Sequence, residues 1–166
     1  TVGVLRDEAE ELNENFMWSM KTGMPFVGVK VAQTLDGRIA DSFGRSKWIT
    51  SSPARVYGHR LRSEYDAVLV GAGTIASDNP ELTVRHVRGR NPWRIVLDGR
   101  FVVNPRSKVF DVRKAPTAVL TSIRSLKKYR RKAVLLEKYG VQVFGLDGGP
   151  WLRARPILRT LADLGI

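Results

Sequence analysis

Short apolar runs alternate with segments of helical spacing along this chain, and that alternation restricts its fold more than any other feature. Four of the runs are too short for helices and lie at 67–71 (AVLVG), 94–98 (RIVLD), 117–121 (TAVLT) and 141–144. Continuous apolar runs of this length are typical of strands that are buried on both faces. We expect a further buried strand at 26–31 (FVGVKV).

The segments between these runs carry apolar residues at three- and four-residue steps, and we expect helices at 4–21, about 50–63, 123–138 and 152–164. Ser51 and Ser52 can cap free N–H groups at the start of the second helix, and Pro53 suits its first turn. Turn residues at 34–37 (TLDG) and 147–150 (DGGP) predict loops. Alternating strands and helices predict an α/β fold with three layers and a mostly parallel sheet.

Length and composition are those of one globular domain, with 166 residues of which 43% are hydrophobic and 27% are charged. No apolar run reaches the roughly 18 residues that a membrane-spanning helix needs. The N-terminal residues are acidic and lack the pattern of a secretory signal, and there is no cysteine. These features favour a soluble, cytoplasmic protein.

The net charge of +12, from 28 Lys and Arg against 16 acidic residues, would attract a polyanion. The basic residues are spread along the chain, however, and only 124–132 (RSLKKYRRK) is a cluster. Apolar residues share one helical stripe there, at Leu126, Tyr129, Ala133 and Leu136. This spacing favours a solvated helix face over a nucleic-acid site, and a phosphorylated ligand would also suit a basic protein.

Polar residues are concentrated between positions 30 and 85, around the expected strand ends and turns. They are Lys30, Ser46, Trp48, Arg62, Thr74, Asp78 and Arg85. Because ligands of open α/β sheets bind at the carboxyl ends of the strands, we expect these side chains to share one crevice.

Two other patterns have weaker functional interpretations. Gly71 and Gly73 begin a G-x-G-x-x-G pattern, but Ala76 stands at the third glycine and no acidic residue is clearly placed about 20 positions onward. A tight turn near a cofactor is therefore favoured over a dinucleotide fingerprint. His59 and His86 are the only histidines, so with no cysteine a metal site is unsupported, and His59 is expected to be an ordinary helix residue.

Five strings occur in an order and at spacings that resemble a known family: LDGRIA, SKWIT, HRLRSEYDAVLVGAGT, DNPELTVR and RIVLD. The family is the C-terminal reductase domain of the bifunctional riboflavin-biosynthesis deaminase/reductase, whose fold is similar to dihydrofolate reductase. The resemblance implies that 1–23 form a linker helix leaving a deaminase domain and that 24–166 belong to the reductase. It also implies that the fold is incomplete at the C-terminus, because the family's next strand and its Glu-Gly-Gly turn would follow the helix expected at 152–164.

The activity that the resemblance implies is NADPH-dependent reduction of the ribosyl group of 5-amino-6-(5-phosphoribosylamino)uracil to ribityl. It implies NADPH contacts at Ala32, Trp48, Thr74 and Asp78, and substrate contacts at Ser46, Arg62, Leu82 and Arg85. Lys30 and Asp78 are candidates for proton handling or substrate orientation. A purely structural role for this pair, an ion pair for the lysine and a turn cap for the aspartate, stays open.

The partners expected on this basis are a phosphorylated small molecule and a deaminase domain, with assembly of two or more copies of the chain as an open alternative, but no nucleic acid and no membrane. Two alternatives stand beside this interpretation. One is a related reductase acting on another pteridine or pyrimidine, and the other is a basic nucleic-acid-binding module built around 124–132.

Overall fold

A computed structural model describes residues 3–46 and 49–166 of the chain. It separates into two compact units. The terminal unit comprises Thr1–Gly28 and Arg153–Ile166, and the sheet unit comprises Val29–Leu152. Among the described residues, no helix is both long enough and apolar enough to cross a membrane.

The sheet unit is built on four parallel strands. They are β1 (Ala67–Gly71), β2 (Trp93–Leu97), β3 (Thr117–Ser122) and β4 (Gln142–Leu146), and they lie side by side in chain order. The register pairs Val96 of β2 with Val119 of β3, and Val119 with Val143 of β4. All three pairings are parallel, which confirms the predicted α/β class and the parallel sheet.

Helices account for most of the remaining regular structure. The sheet unit contains α3 (Ser52–Glu64), α4 (Ala72–Asp78), α5 (Ile123–Lys128), α6 (Arg130–Lys138) and a 3-10 turn at Lys108–Phe110; the terminal unit contains α1 (Arg6–Leu12), α2 (Glu14–Thr22) and α7 (Ala154–Asp163). Helix α3 begins where it was predicted, since the Ser51 side chain accepts a hydrogen bond from the Ala54 N–H at 3.4 Å.

Two helices that were predicted as continuous are each divided in two. Asn13 separates α1 from α2, and its side-chain amide donates to the Ala9 carbonyl at 2.8 Å. Asparagine can bond the backbone in this way outside helical geometry, which explains the break. Tyr129 separates α5 from α6 with φ −112 and ψ 38, although Ala133 N–H still bonds its carbonyl at 3.2 Å.

The strand predicted at 26–31 is wrong: among the described residues this segment is irregular. Its valines are exposed, with 58% of Val27, 84% of Val29 and 59% of Val31 accessible. A strand needs a neighbour that takes up its N–H and C=O groups, and within the described part of the chain the four strands of the sheet pair only with one another. Alternating valines alone do not supply that neighbour.

The core lies around the two central strands. Ile95 and Val96 of β2 and Val119 and Leu120 of β3 are completely buried. Strand β1 was also predicted to be fully buried, and that is wrong, because Leu69 is 42% exposed. The reason is its place at the edge of the sheet, where a strand has a partner on one side only.

The apolar stripe predicted between 126 and 136 is confirmed at its C-terminal end. Ala133 and Leu136 of α6 are buried and belong to the main core, and Leu126 packs against that core. Lys132 from the basic cluster donates to the Phe101 carbonyl at 2.8 Å and lies over the Phe101 ring. At least one charge of the cluster therefore supports the fold.

Arg94 on β2 is a charged side chain in the interior, with no exposed surface. Its guanidinium donates to three backbone carbonyls: Ala115 at 2.6 Å, Asp111 at 2.9 Å and Glu81 at 3.3 Å. Burial lowers the pKa of Arg94, and the charge of Asp111 opposes that effect. One side chain thus ties two loops to the centre of the sheet.

Replacing Arg94 by Met should lower the free energy of unfolding by about 2 to 4 kcal/mol, because three backbone carbonyls, one buried and two part-buried, lose a charged donor. Urea unfolding would measure this. Arg106→Met, at an exposed position, is the matched control and should stay within about 0.5 kcal/mol of the unaltered protein. Equal unfolding midpoints for the two variants would show that the three carbonyl contacts contribute nothing.

Candidate active site

The turn from β1 into α4 presents bare backbone at the carboxyl end of the sheet. Helix α4 begins at Ala72 immediately after the strand, and Gly71 has an ordinary extended conformation with φ −80. A Cβ built at Gly71 or at Gly73 would meet nothing within 4 Å. Thr74, in the first turn of α4, is exposed. The predicted small-residue turn is therefore the start of a helix, with open space beside it.

Ser46 and Asp78 meet although 32 positions separate them. The Ser46 hydroxyl donates to Asp78 Oδ1 at 3.4 Å, and both residues are exposed. Asp78 is the last residue of α4, but the side chain that anchors this helix end is that of Asn79, whose Oδ1 accepts from the Lys108 N–H at 2.9 Å. The Asp78 carboxylate is thus exposed beside the hydroxyl of a second predicted site residue.

A second group, which we name the histidine–arginine cluster, consists of His59, Arg62, Thr83 and Arg85. His59 Nδ1 accepts a hydrogen bond from the Arg85 backbone N–H at 3.2 Å and lies 3.3 Å from Arg62 Nη1. The same Nη1 donates to the Thr83 carbonyl at 2.8 Å. Two predicted substrate residues are therefore joined through a histidine for which the sequence predicted no role.

Electrostatics in the histidine–arginine cluster keep His59 neutral. Burial, the charge of Arg62, and the neighbouring His86 and Arg85 lower the pKa of His59 to about 4. Burial also lowers the pKa of Arg62, helped by the charge of Arg85, but a guanidinium remains protonated. The Arg62 Nε is buried and has no hydrogen-bond partner among residues 3–46 and 49–166.

Leu82 is held in a conformation that is unusual for its residue type. Its φ of 56 lies in the left-handed region, which costs a branched side chain free energy and occurs mostly at constrained positions. The side chain is 7% exposed and belongs to the main core. A ligand contact at this position would therefore have to use the backbone.

Lys30 and Ala32 lie in an irregular segment. Lys30 forms no hydrogen bond or ion pair with the described residues, and its Cε lies 3.8 Å from the position that a Cβ would take at Gly58 of α3. Two tight turns follow, closed by Thr34 N–H to the Arg38 carbonyl at 2.9 Å and Asp41 N–H to the Arg45 carbonyl at 3.0 Å. The first confirms the turn predicted at 34–37.

Trp48 lies outside the described residues. The structure thus forms two pairings among the predicted site residues, Ser46 with Asp78 and Arg62 with Arg85 through His59. Convergence of the whole set on one pocket stays a prediction. Among the described residues, no three His, Asp or Glu side chains are grouped so that they could hold a metal ion.

His59 was predicted to be an ordinary helix residue, but the sequence contained one signal that it contacts Arg62. His59 and Arg62 are three positions apart on α3, so their side chains lie on the same face of the helix. That spacing could not indicate that the backbone of Arg85 would supply the second hydrogen bond, because 26 positions separate the two residues.

The parallel sheet and its polar strand ends define the chain as an α/β domain with a basic candidate site. A protein-family model described as the RibD C-terminal domain matches residues 25–166. The riboflavin biosynthesis protein RibD of Aquifex aeolicus is 44% identical over 166 residues, and that of Bacillus amyloliquefaciens is 39% identical over 165; each match covers 99% of this chain. This chain therefore belongs to the RibD C-terminal domain family.

Solved structures agree with this assignment. One is the diaminohydroxyphosphoribosylaminopyrimidine deaminase/5-amino-6-(5-phosphoribosylamino)uracil reductase of Thermotoga maritima, with 39% identity and a TM-score of 0.81 over 99% of this chain. The riboflavin biosynthesis reductase Rib7 of Saccharomyces cerevisiae has 21% identity and a TM-score of 0.63 over 94% of this chain, and shows the fold alone. The chain spans 44% of the Aquifex protein and 43% of the Thermotoga chain.

The neutral state of His59 predicts a specific dependence of stability on pH. Between about pH 6.5 and pH 4 the unfolded chain binds a proton at this residue and the folded chain does not, so falling pH favours unfolding. The full contribution is present above pH 6.5 and is lost as the pH approaches 4.

We expect His59 to account for a loss of about 2 to 3 kcal/mol over that interval. Urea midpoints measured from pH 7 to pH 4 would detect it as a steeper decline in the unaltered protein than in His59→Asn, which cannot titrate. Parallel curves would mean that His59 is not held neutral by the fold.

Proposed function

We propose that the chain carries out NADPH-dependent reduction of the ribosyl group of 5-amino-6-(5-phosphoribosylamino)uracil to ribityl, in riboflavin biosynthesis. Family membership supports an oxidoreductase, and the name of the Thermotoga relative includes this uracil reductase. We also propose that 1–23 link to a deaminase domain and that 24–166 belong to the reductase, because the Thermotoga protein is named for both activities.

One observation carries the substrate assignment: the half-buried Arg62 guanidinium bonds only a neutral imidazole and the Thr83 carbonyl among the described residues, which leaves its charge uncancelled and its Nε without an acceptor. An unpaired buried donor costs free energy, which an acceptor on a ligand would recover. Arg85 adds a second guanidinium to the same cluster, and no described carboxylate bonds Arg62. Two guanidinium groups suit a doubly charged phosphate because each offers several donors in one plane.

The described residues also fit a nicotinamide cofactor at the β1–α4 turn. Bare backbone at Gly71 and Gly73 leaves room for a ring to approach, and the exposed Thr74 hydroxyl is available to bond it. Ala32, Trp48, Thr74 and Asp78 are the residues that we propose hold NADPH. The cofactor supplies the hydride when it is bound, and the protein supplies orientation and charge.

Reduction of the opened sugar in its imine form also requires a proton. We propose that Asp78 and Lys30 handle this proton or orient the substrate, with Ser46 holding the Asp78 carboxylate in place. The Ser46 hydroxyl within 3.4 Å of Asp78 supports this role, as does the absence of any described ion pair that would occupy Lys30. General acid–base residues must lie within hydrogen-bond reach of the proton that they move.

The substrate proposal is tested with Arg62→Ala in the full-length protein. Losing a donor to a charged group should raise KM for the ribosylaminopyrimidine phosphate about 10- to 100-fold and leave the affinity for NADPH unchanged. Arg60→Ala is the matched control, because Arg60 lies on the same helix and is exposed, and its side chain bonds Glu64 at 2.9 Å.

Steady-state kinetics and NADPH fluorescence provide both measurements. Equal KM values for the two arginine variants would remove Arg62 from the substrate site. Reduction of dihydrofolate but not of the ribosylaminopyrimidine phosphate would replace the proposed function with that of a different reductase.

The proton-handling proposal is tested in single turnovers with Asp78→Asn and Lys30→Met. Loss of a general acid should slow hydride transfer by about 100-fold or more in at least one of them. Asp163→Asn, an exposed acid on α7, is the control and should leave the rate unchanged. Unchanged rates in both variants would remove Asp78 and Lys30 from the mechanism.

A further inference from the structure

His59 occupies a central position that the proposed reaction does not yet use. Its Nδ1 is the shared acceptor between two parts of the chain, Arg62 Nη1 on α3 at 3.3 Å and the backbone N–H of Arg85 at 3.2 Å. The residue is 7% exposed, and both contacts are part-buried. Breaking them would release Arg62 and the backbone of Arg85 from each other.

We propose that His59 is a positioning residue that fixes the separation of Arg62 and Arg85, so that both guanidinium groups meet the phosphate of one substrate molecule. The inference rests on the proposed function, since it assigns a phosphate-bearing substrate to these arginines. In this arrangement His59 sets the positions of the two arginines but does not itself contact the substrate.

The geometry requires an acceptor at this position. A backbone N–H is always a donor, as is every guanidinium N–H, so Nδ1 must present its lone pair and the ring proton must lie on Nε2. Protonated His59 would direct an N–H at two other N–H groups. The charged and titratable groups that face His59 are Arg62 on its own helix and Arg85 and His86 in the loop after α4. These three oppose a second positive charge, and only the Thr83 backbone, among the described residues, favours it.

Two further contacts hold the ring in this orientation. His86 lies edge-on to His59, with ring centroids 4.6 Å apart and planes at 89°. Arg62 is anchored independently by the Thr83 carbonyl at 2.8 Å. The Arg62 side chain is thus held at one nitrogen by Thr83 and His59, while its Nε is left without a partner among the described residues.

Three substitutions in the full-length protein distinguish the effect of losing the hydrogen-bond acceptor from the effect of losing the shape of the ring. His59→Asn places its amide oxygen near the position of Nδ1, His59→Phe keeps the ring without an acceptor, and His59→Gln reaches the position of Nε2 instead. We expect Phe and Gln to raise KM for the ribosylaminopyrimidine phosphate about tenfold or more, and Asn to remain within about threefold of the unaltered protein. The affinity for NADPH should not change.

A double variant distinguishes positioning from general structural damage. If His59 acts through Arg62, His59→Phe should raise KM much less in the Arg62→Ala variant than it does in the unaltered protein. A substrate analogue that lacks the phosphate should be reduced with the same KM by the unaltered protein and by His59→Phe. Thermal melting confirms that each variant is folded, and His59→Gln replaces His59→Phe if the latter melts below the assay temperature.

The outcomes separate the two proposals. Turnover of the substrate with an effect of Arg62→Ala, but with equal KM for the unaltered, Asn and Phe forms, would overturn the role of His59 and leave the proposed function standing. Additive effects in the double variant, or equal damage from Asn and Phe, would also overturn it. No turnover by the unaltered protein would refute the proposed function, and the inference with it.

Discussion

The buried guanidinium of Arg94 is the interaction on which the rest of the sheet unit depends. A charge at the centre of a sheet is tolerated only where acceptors surround it, and here they are the carbonyls of Glu81, Asp111 and Ala115. The bond to Glu81 fixes the residue that precedes the strained Leu82, and the carbonyl two residues after Glu81, that of Thr83, holds Arg62. The candidate substrate site is thereby attached to the core through the backbone, because the Glu81 carbonyl bonds Arg94, Leu82 packs in the core and the Thr83 carbonyl bonds Arg62.

Positive charge in the histidine–arginine cluster depends on the partners of each arginine as well as on the number of basic residues in the chain. The chain carries 28 Lys and Arg, and some of the exposed ones form ion pairs with carboxylates nearby in sequence, as Arg60 does with Glu64. Arg62 differs because its partners are a neutral imidazole and a carbonyl, neither of which cancels its charge. An anion that reaches it therefore meets a guanidinium that is partly desolvated, where electrostatic attraction is stronger than at the surface. Arg85 is closer to the ordinary case, since Glu81 lies 3.9 Å from it.

The sequence predicted the parts of the fold that local chemistry controls and missed those that distant neighbours control. Runs of apolar residues located all four strands, and the Ser51 cap with Pro53 located the start of α3, because each signal lies within a few residues of the element. The strand expected at 26–31 failed because a strand requires a partner, and the exposure of Leu69 was missed because burial depends on a strand's place in the sheet. At the candidate site the residue types were predictable, whereas the role of His59 depends on a contact across 26 positions.

Gly99, directly after Asp98 at the end of β2, restricts which sequence changes the neighbouring loops can accept. A Cβ at this position would lie 2.0 Å from the carbonyl oxygen of Pro150, so the loop at 147–150 packs against bare backbone. Arg100 adds a contact in the same place, with its guanidinium 5.7 Å from the centre of the Trp151 ring. The loops that follow β2 and β4 therefore pack against each other as one unit. Insertions or side-chain growth in either loop have to be matched by change in the other, so the two should diversify together among related sequences.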